Sequence, residues 1–236
     1  MMNPKKILII VQRSNGDVFL SLSLLTHLYQ HFNHPQIDLL VNDDTLAIAK
    51  LLPYITNIHT FSYAKKKENR WGQEFRLFKK IHRKYDLSIN LTASDRSVLY
   101  AILSGKHAIS AIESDKKKSW WKKLALSQYY YFDTESHIIC NNLAPLDLLK
   151  IKHQRTQKSI EISPPKVKAL KTKLEQLNIG PFIIFHPSAQ YNYKVYPKKL
   201  RDELLTYLSG LGVDILITGG QSKIDDEIKR TLPLLS

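Results

Sequence analysis

Cysteine is almost missing from this sequence. Cys140 is the only one, so no internal disulfide can form and one thiol does not make a structural zinc site. That usage fits a reducing compartment. Glycine is scarce as well, with eight in 236 residues. Neither G-x-G-x-x-G nor G-x-x-x-x-G-K-[ST] occurs, which removes two common phosphate-cradling loops. D-x-D, H-E-x-x-H and G-x-S-x-G are absent too, excluding the commonest metal-diphosphate, zinc-protease and hydrolase signatures. No apolar run approaches the ~18 residues of a membrane span. The run Ile7–Val11 is also too short for a signal-peptide core, and no small-residue cleavage site follows it. A cytosolic chain is the expectation.

Acidic residues are the other shortage: 21 against 35 lysines and arginines, a net charge of +14. The excess is concentrated. Residues 64–86 carry nine basic and three acidic side chains, and residues 105–123 carry six and two. Each stretch holds a Lys-Lys-Lys run near tryptophan. Such clusters attract nucleic acid, anionic membrane or a phosphorylated substrate, or they serve only to keep a surface solvated. No RNA- or DNA-binding motif accompanies them, so no nucleic-acid partner is expected.

What is present reads as α/β, with short apolar runs alternating with amphipathic stretches. Strands are expected at Ile7–Val11, Ile37–Val41, Ile55–Phe61, Leu87–Leu91 and His107–Ile112. A first helix carries Leu22, Leu25, Leu28, Tyr29 and Phe32 at helical spacing, and a second covers residues 44–52. Trp71, Phe75, Phe78, Ile81 and Tyr85 form a further apolar stripe. Helices are also expected over residues 94–104, ended by Gly105, and over 136–149, with Cys140 in the core. Residues 151–166 are polar and contain Pro-Pro, which marks a linker. Beyond a helix at 166–177, a second strand–turn–helix–strand unit runs from Phe182 through a helix at 197–209 to Thr218.

Ligands of open α/β sheets bind at the carboxyl ends of strands. Three loops qualify. Arg13-Ser14-Asn15-Gly16-Asp17 offers a sharp turn with Asp17 at a helix start, where an aspartate is also an ordinary cap. Residues 186–197 bring a hydroxyl, aromatics and Lys194, a set that suits a nucleoside diphosphate or an ordinary surface loop. Thr218-Gly219-Gly220-Gln221-Ser222 permits close approach to a nucleotide, or is a plain helix entry. His27, His31 and His34 fall near helical spacing, but His34 precedes Pro35, and no metal site is expected there.

Taken together these segments resemble a known family. ILIIVQRSNGDVFLSLSLLTHL is similar to the opening of the ADP-heptose:lipopolysaccharide heptosyltransferases, with their R-x-x-x-G-D-type turn. YDLSINLTASDRSVLYAILSGKHAISAIESDKKKSWW resembles the central part of that family's acceptor domain. IIFHPSAQYNYKVYPKKLRDELLTYLSGLGVDILITGG resembles the opening of its donor domain, where H-P-G-x, K-R-W-P and T-G-G are usual. Ser188 stands where the family has glycine, and Val195-Tyr196 where it has Arg-Trp.

The resemblance implies a GT-B glycosyltransferase: two Rossmann-like domains, residues 1–155 binding the acceptor and 156–236 opening the nucleotide-sugar domain. It implies inverting, metal-independent transfer from ADP-heptose to a lipid A–core acceptor, with no cofactor. Asp17 would be the general base. Ser188, Lys194, Gly219 and Gly220 would meet the donor; Arg13, Asn15, Gly16 and Arg96 the acceptor. The basic clusters would rest on the anionic inner face of the cytoplasmic membrane of a Gram-negative bacterium. Only about 75 residues follow the linker, against ~130 for a Rossmann-like domain. The second domain is therefore expected to be incomplete, and an inactive chain that still binds anionic core glycolipid is the alternative.

Overall fold

The computed structural model describes residues 2–63, 66–153, 164–189 and 191–233, with backbone alone at 66–70 and 116–118. Most of the expected linker and the side chains of both Lys-Lys-Lys runs therefore lie outside the described residues. The chain divides into two compact units, Met1–Glu161 and Ile162–Ser236.

The first unit is built on six parallel strands: β1 (Lys6–Val11), β2 (Gln36–Asn42), β3 (Ile55–Phe61), β4 (Tyr85–Asn90), β5 (Gly105–Ile112) and β6 (Gln128–Tyr131), in the order β3-β2-β1-β4-β5-β6. Ile7 to Val11 alternate between two cores and are buried on both faces, as an uninterrupted apolar run in a parallel sheet requires. Helices α1 (Asn15–Leu20), α2 (Leu22–His31), α3 (Leu46–Ala49) and a later α7 (Ile138–Leu148) pack against Ile7, Ile9 and Val11. Helices α4 (Lys66–Ile81), α5 (Asp95–Ser104) and α6 (Lys116–Ala125) cover Leu8 and Ile10 on the opposite face. Because β1 pairs with both β2 and β4, the strand order reverses between β1 and β4. That reversal opens a crevice at their carboxyl ends.

The second unit holds α8 (Pro164–Gln176), β7 (Phe182–Phe185), α9 (Lys198–Ser209), β8 (Asp214–Ile217) and α10 (Lys223–Arg230). Its described sheet has two parallel strands, and Ile184 on β7 is 63% exposed.

Several sequence expectations need correcting. The first helix is broken at Ser21, whose buried hydroxyl donates to Val18 O at 2.7 Å. Tyr85 is no part of the α4 stripe. The helix ends at Ile81, Arg83 takes a left-handed φ of 51°, and Tyr85 begins β4. Leu77 and Ile81 make the buried face of α4, while Trp71 and Phe75 are exposed. Gly105 does follow the last residue of α5 as its C-cap, as expected, but in an extended rather than a left-handed conformation. A Cβ there would lie 2.6 Å from Ser88 Oγ and 2.8 Å from Ser88 N, so close strand approach is what calls for glycine. Cys140 is exposed rather than core. Strand β6 and helix α10 were not anticipated.

Candidate active site

The loop leaving β1 folds straight into α1. Ser14 is the helix cap, and Asn15 and Gly16 are already helical, so the sharp Asn-Gly turn expected there does not form. Asp17 completes a capping box: its Oδ2 accepts from Ser14 N at 3.1 Å and Ser14 Oγ at 2.7 Å. The same oxygen lies 3.2 Å from Arg13 Nε. None of these three contacts engages Oδ1. Arg13 in turn lies over the Phe132 ring at 4.7 Å, and its carbonyl accepts from Asn42 Nδ2 at 3.5 Å. Asp17 is thus both a helix cap and a carboxylate beside a cation, at the carboxyl end of β1.

The loop leaving β4 is held from below. The Asn90 amide donates to Thr92 O at 2.6 Å, Ser110 Oγ at 2.8 Å and Ser97 Oγ at 3.2 Å. Thr92 Oγ1 accepts from Gln12 N at 3.0 Å, which ties this loop to the end of β1. Ser94 caps α5. Arg96, in its first turn, spreads its guanidinium over Phe61 at 3.9 Å and Tyr63 at 4.5 Å and donates to the Tyr63 hydroxyl. Arg13, Asp17 and Arg96 therefore sit on the two loops that flank the crevice.

Sequence reasoning missed what stands behind Arg96. Lys122 of α6 is fully buried, with Nζ 2.6 Å from Asp95 Oδ1, 2.5 Å from Glu113 Oε2 and 3.3 Å from Ala93 O. Burial pushes its ammonium pKa down, but the two carboxylates more than offset this and hold it above the usual lysine value. The residue was counted in a surface basic cluster, there to meet an anionic partner or solvent. The available signal was its spacing with Ser119 and Leu126, both buried, which puts all three on the core face of α6. Also missed were buried polar atoms without a hydrogen-bond partner among the described residues, including both amide atoms of Gln12, Asn42 Oδ1 and the Tyr130 hydroxyl. Burial drives the Tyr130 pKa up, keeping it a neutral donor. Buried groups of this kind normally find a partner in water or ligand.

In the second unit, Ser188, Gly219 and Gly220 line one cleft of about 480 Å³. His186 Nδ1 meets Thr218 Oγ1 at 2.9 Å and Ser188 Oγ meets His186 Nε2 at 3.3 Å, joining the two loops. Asp225, at the start of α10, takes Gly220 N at 2.8 Å, Ser222 N at 2.9 Å and Ser222 Oγ at 2.5 Å. Hydrogen bonds from Ser222, Ser188 and these amides hold its carboxyl well below the usual range. A Cβ on Gly220 would come within 2.9 Å of this carboxylate, so a larger residue there would have to displace the Asp225 side chain. Lys194 is not part of the cleft lining. It sits in a short 3-10 turn with Nζ 5.7 and 5.8 Å from the rings of Tyr193 and Tyr191.

Among the described residues no three His, Cys, Asp or Glu side chains converge as a metal site. His27 Nδ1 is bonded to Ser23 O, and the His34 ring lies 4.6 Å from that of Tyr29, tilted by 46°.

The sequence profile of "Glycosyltransferase family 9 (heptosyltransferase)" matches residues 74–235. The chain is 23% identical over 218 residues to "Lipopolysaccharide heptosyltransferase 3" of Escherichia coli, covering 90% of this chain and 63% of the relative. The protein of that name from E. coli strain K12 is 25% identical over 232 residues, covering 92% and 65%. The chain thus spans just under two thirds of the length of these relatives. Among solved structures, the glycosyl transferase family 9 protein of Veillonella parvula DSM 2008 superposes with a TM-score of 0.78 at 17% identity, over 96% of this chain and 65% of that one. E. coli heptosyltransferase WaaC with ADP-2-deoxy-2-fluoro heptose gives 0.73 at 17%, over 96% and 72%. At such identities these structures speak for the fold.

Proposed function

The chain belongs to glycosyltransferase family 9, the heptosyltransferases, and from that premise we propose that it serves heptosyl transfer from ADP-heptose to the inner core of lipopolysaccharide, with Asp17 as general base. The observation that carries this reading is Asp17 itself: a carboxylate beside Arg13 at the strand-order reversal, with Oδ1 outside its capping contacts. An acceptor hydroxyl would give its proton to that carboxylate while its oxygen attacks the anomeric carbon. The bond from that carbon to the diphosphate breaks, its electron pair leaves with ADP, and the configuration inverts. Arg13 and Arg96 would meet phosphate or carboxylate groups of the acceptor, with Asn15 and Gly16 near the reacting hydroxyl. Ser188, Gly219 and Gly220 would approach the donor diphosphate, with Lys194 countering its charge. ADP and a fluorinated ADP-heptose named with the solved WaaC structures support a nucleotide-sugar donor. The reaction as proposed needs no metal and no cofactor.

The acceptor is anchored in a bilayer, so the protein would work as a peripheral enzyme on the anionic cytoplasmic face of the inner membrane. Among the described residues no helix is long and apolar enough to cross a membrane.

A second reading has its own observation. Asp225, which occupies the Gly220 and Ser222 amides that would face a donor diphosphate, favours a protein that binds core glycolipid without transferring sugar. One experiment separates the two: the purified protein, ADP-heptose and heptose-deficient lipopolysaccharide, followed by ADP release. Release that Asp17→Asn abolishes supports transfer. Glycolipid binding with no ADP release, together with no heat of ADP binding in calorimetric titration, supports the second reading.

A further inference from the structure

Helices α4, α5 and α6 share one face of the six-stranded sheet, with Leu77, Val98 and Leu126 in the core beneath them. The outer surface of that layer is apolar too. Trp71 is 80% and Phe75 58% exposed on α4, Leu99 46% on α5, and Trp120 61% and Leu124 80% on α6. Isolated exposed apolar side chains are ordinary. Here they gather on one layer, and Trp71, Phe75, Leu99 and Leu103 line a groove of about 580 Å³ between α4 and α5.

The charges are arranged around this surface. At 100° per residue, Leu77 and Ile81 of α4 face the sheet, Trp71 and Phe75 lie on the next strip, and Arg76, Lys79 and Lys80 lie beyond it. Lys79 Nζ is 4.5 Å from the Phe75 ring centre. A buried strip, an exposed apolar strip and a cationic strip in that order suit a helix lying in a membrane interface. Glu74 accepts from Tyr100 and keeps its charge, and Asp95 and Glu113 share Lys122. Residues 64–86 and 105–123 nonetheless carry fifteen basic against five acidic side chains, so these stretches are net positive, complementary to lipid phosphate.

We propose that the α4–α5–α6 face docks on an anionic bilayer, with Trp71, Phe75, Leu99, Leu103, Trp120 and Leu124 entering the boundary between headgroups and acyl chains. This rests on the membrane reading above and deepens it, making insertion as well as charge the source of binding. The flanking lysines and arginines meet the lipid phosphates, and the long-range field brings the protein to the surface.

All three tryptophans lie on α4 and α6; Trp71 and Trp120 are exposed on this face and Trp121 packs on the core beneath it, so intrinsic fluorescence reports on this layer. With vesicles of phosphatidylglycerol and phosphatidylcholine, emission should shift to the blue and brominated acyl chains should quench it. Part of the binding should survive about 1 M salt, where the Debye length is ~3 Å. The double variant Trp71→Ala, Phe75→Ala alters two exposed side chains and should keep the native circular dichroism, while its partition falls by about tenfold or more. Binding that vanishes in salt without acyl-chain quenching would overturn the proposal. So would unchanged partition of the double variant, or a native dimer that hides these tryptophans and ignores vesicles. None of these readouts needs ADP-heptose, so failure of sugar transfer leaves the test intact.

Discussion

Replacing Lys122 by methionine should destabilise the first unit, by an amount that follows from its three contacts. Its Nζ lies 2.6 Å from Asp95 Oδ1 and 2.5 Å from Glu113 Oε2, so those two oxygens are at most about 5 Å apart. In the native protein the ammonium's attraction, part of it spent on its own desolvation, offsets their mutual repulsion; without it the two unit charges repel uncompensated, by about 0.8 kcal/mol in bulk water and about 3 kcal/mol at an effective dielectric of 20. Asp95 is 71% and Glu113 38% exposed at the side chain, which puts the repulsion near the lower figure, about 1 kcal/mol. Ala93 O also loses its donor at 3.3 Å, worth about 1 kcal/mol more. The total is about 2 kcal/mol, since methionine refills most of the volume.

The assay is urea unfolding at neutral pH followed by tryptophan fluorescence, which reads the first unit because all three tryptophans are in it. Lys122 is charged there: its folded pKa is raised above 10.5, so its contribution is complete below the unfolded value and fades only at higher pH. Adding Asp95→Asn to Lys122→Met should recover about 1 kcal/mol, because it removes the repulsion and leaves the empty carbonyl. A Lys122→Met protein as stable as the native one, or no recovery in the double variant, would refute the electrostatic argument.

Asp17→Asn should lower ADP release by about 100-fold or more while costing about 1 kcal/mol or less of stability, because the amide still offers an oxygen to Ser14 N; native turnover would leave Asp17 only its capping role. Asp38 is buried, and although burial pushes its carboxyl up, hydrogen bonds from His59, Tyr85, Asn57 and Gln36 hold it down at about 2, from 3.8. A depressed folded pKa gives stability that is present above the unfolded value and lost as pH falls from about 4 through about 2, amounting to about 2 kcal/mol; an acid titration of stability should show that loss, and Asp38→Asn should remove it. Gly105→Ala should cost about 1–3 kcal/mol by denaturant unfolding, since its Cβ would meet Ser88 N at 2.8 Å and His107 O at 2.9 Å; a change within 0.5 kcal/mol would show that β4 and β5 can part there.

How much of this was legible in the sequence depends on how far each signal reaches along the chain. The apolar run Ile7–Val11 and the spacing of Leu22, Leu25 and Leu28 state their own burial, and those elements formed where expected. Tyr85 could equally continue the α4 stripe or open β4. What decided it was Asp38, 47 residues away, which accepts its hydroxyl at 2.8 Å. Strand β6 has no apolar run of its own; Gln128–Tyr131 pairs with β5 because Tyr129 and Tyr130 pack on the two cores.

The candidate site divides along the same line. Asp17 was legible because its partners, Arg13 and Ser14, lie within four residues of it. Arg96 was legible as a residue but not in its setting, since Phe61 and Tyr63 arrive from β3 and the loop after it. Lys122 was misread for the opposite reason: its neighbours in sequence belong to a basic run, while its neighbours in space are carboxylates from the start of α5 and the end of β5. Gly220 gave a local signal whose cause was Asp225, five residues on. The candidate groups are announced locally, by caps and turns at the ends of strands. The groups that hold them in place come from elsewhere in the fold, and composition hides them among residues of the same type.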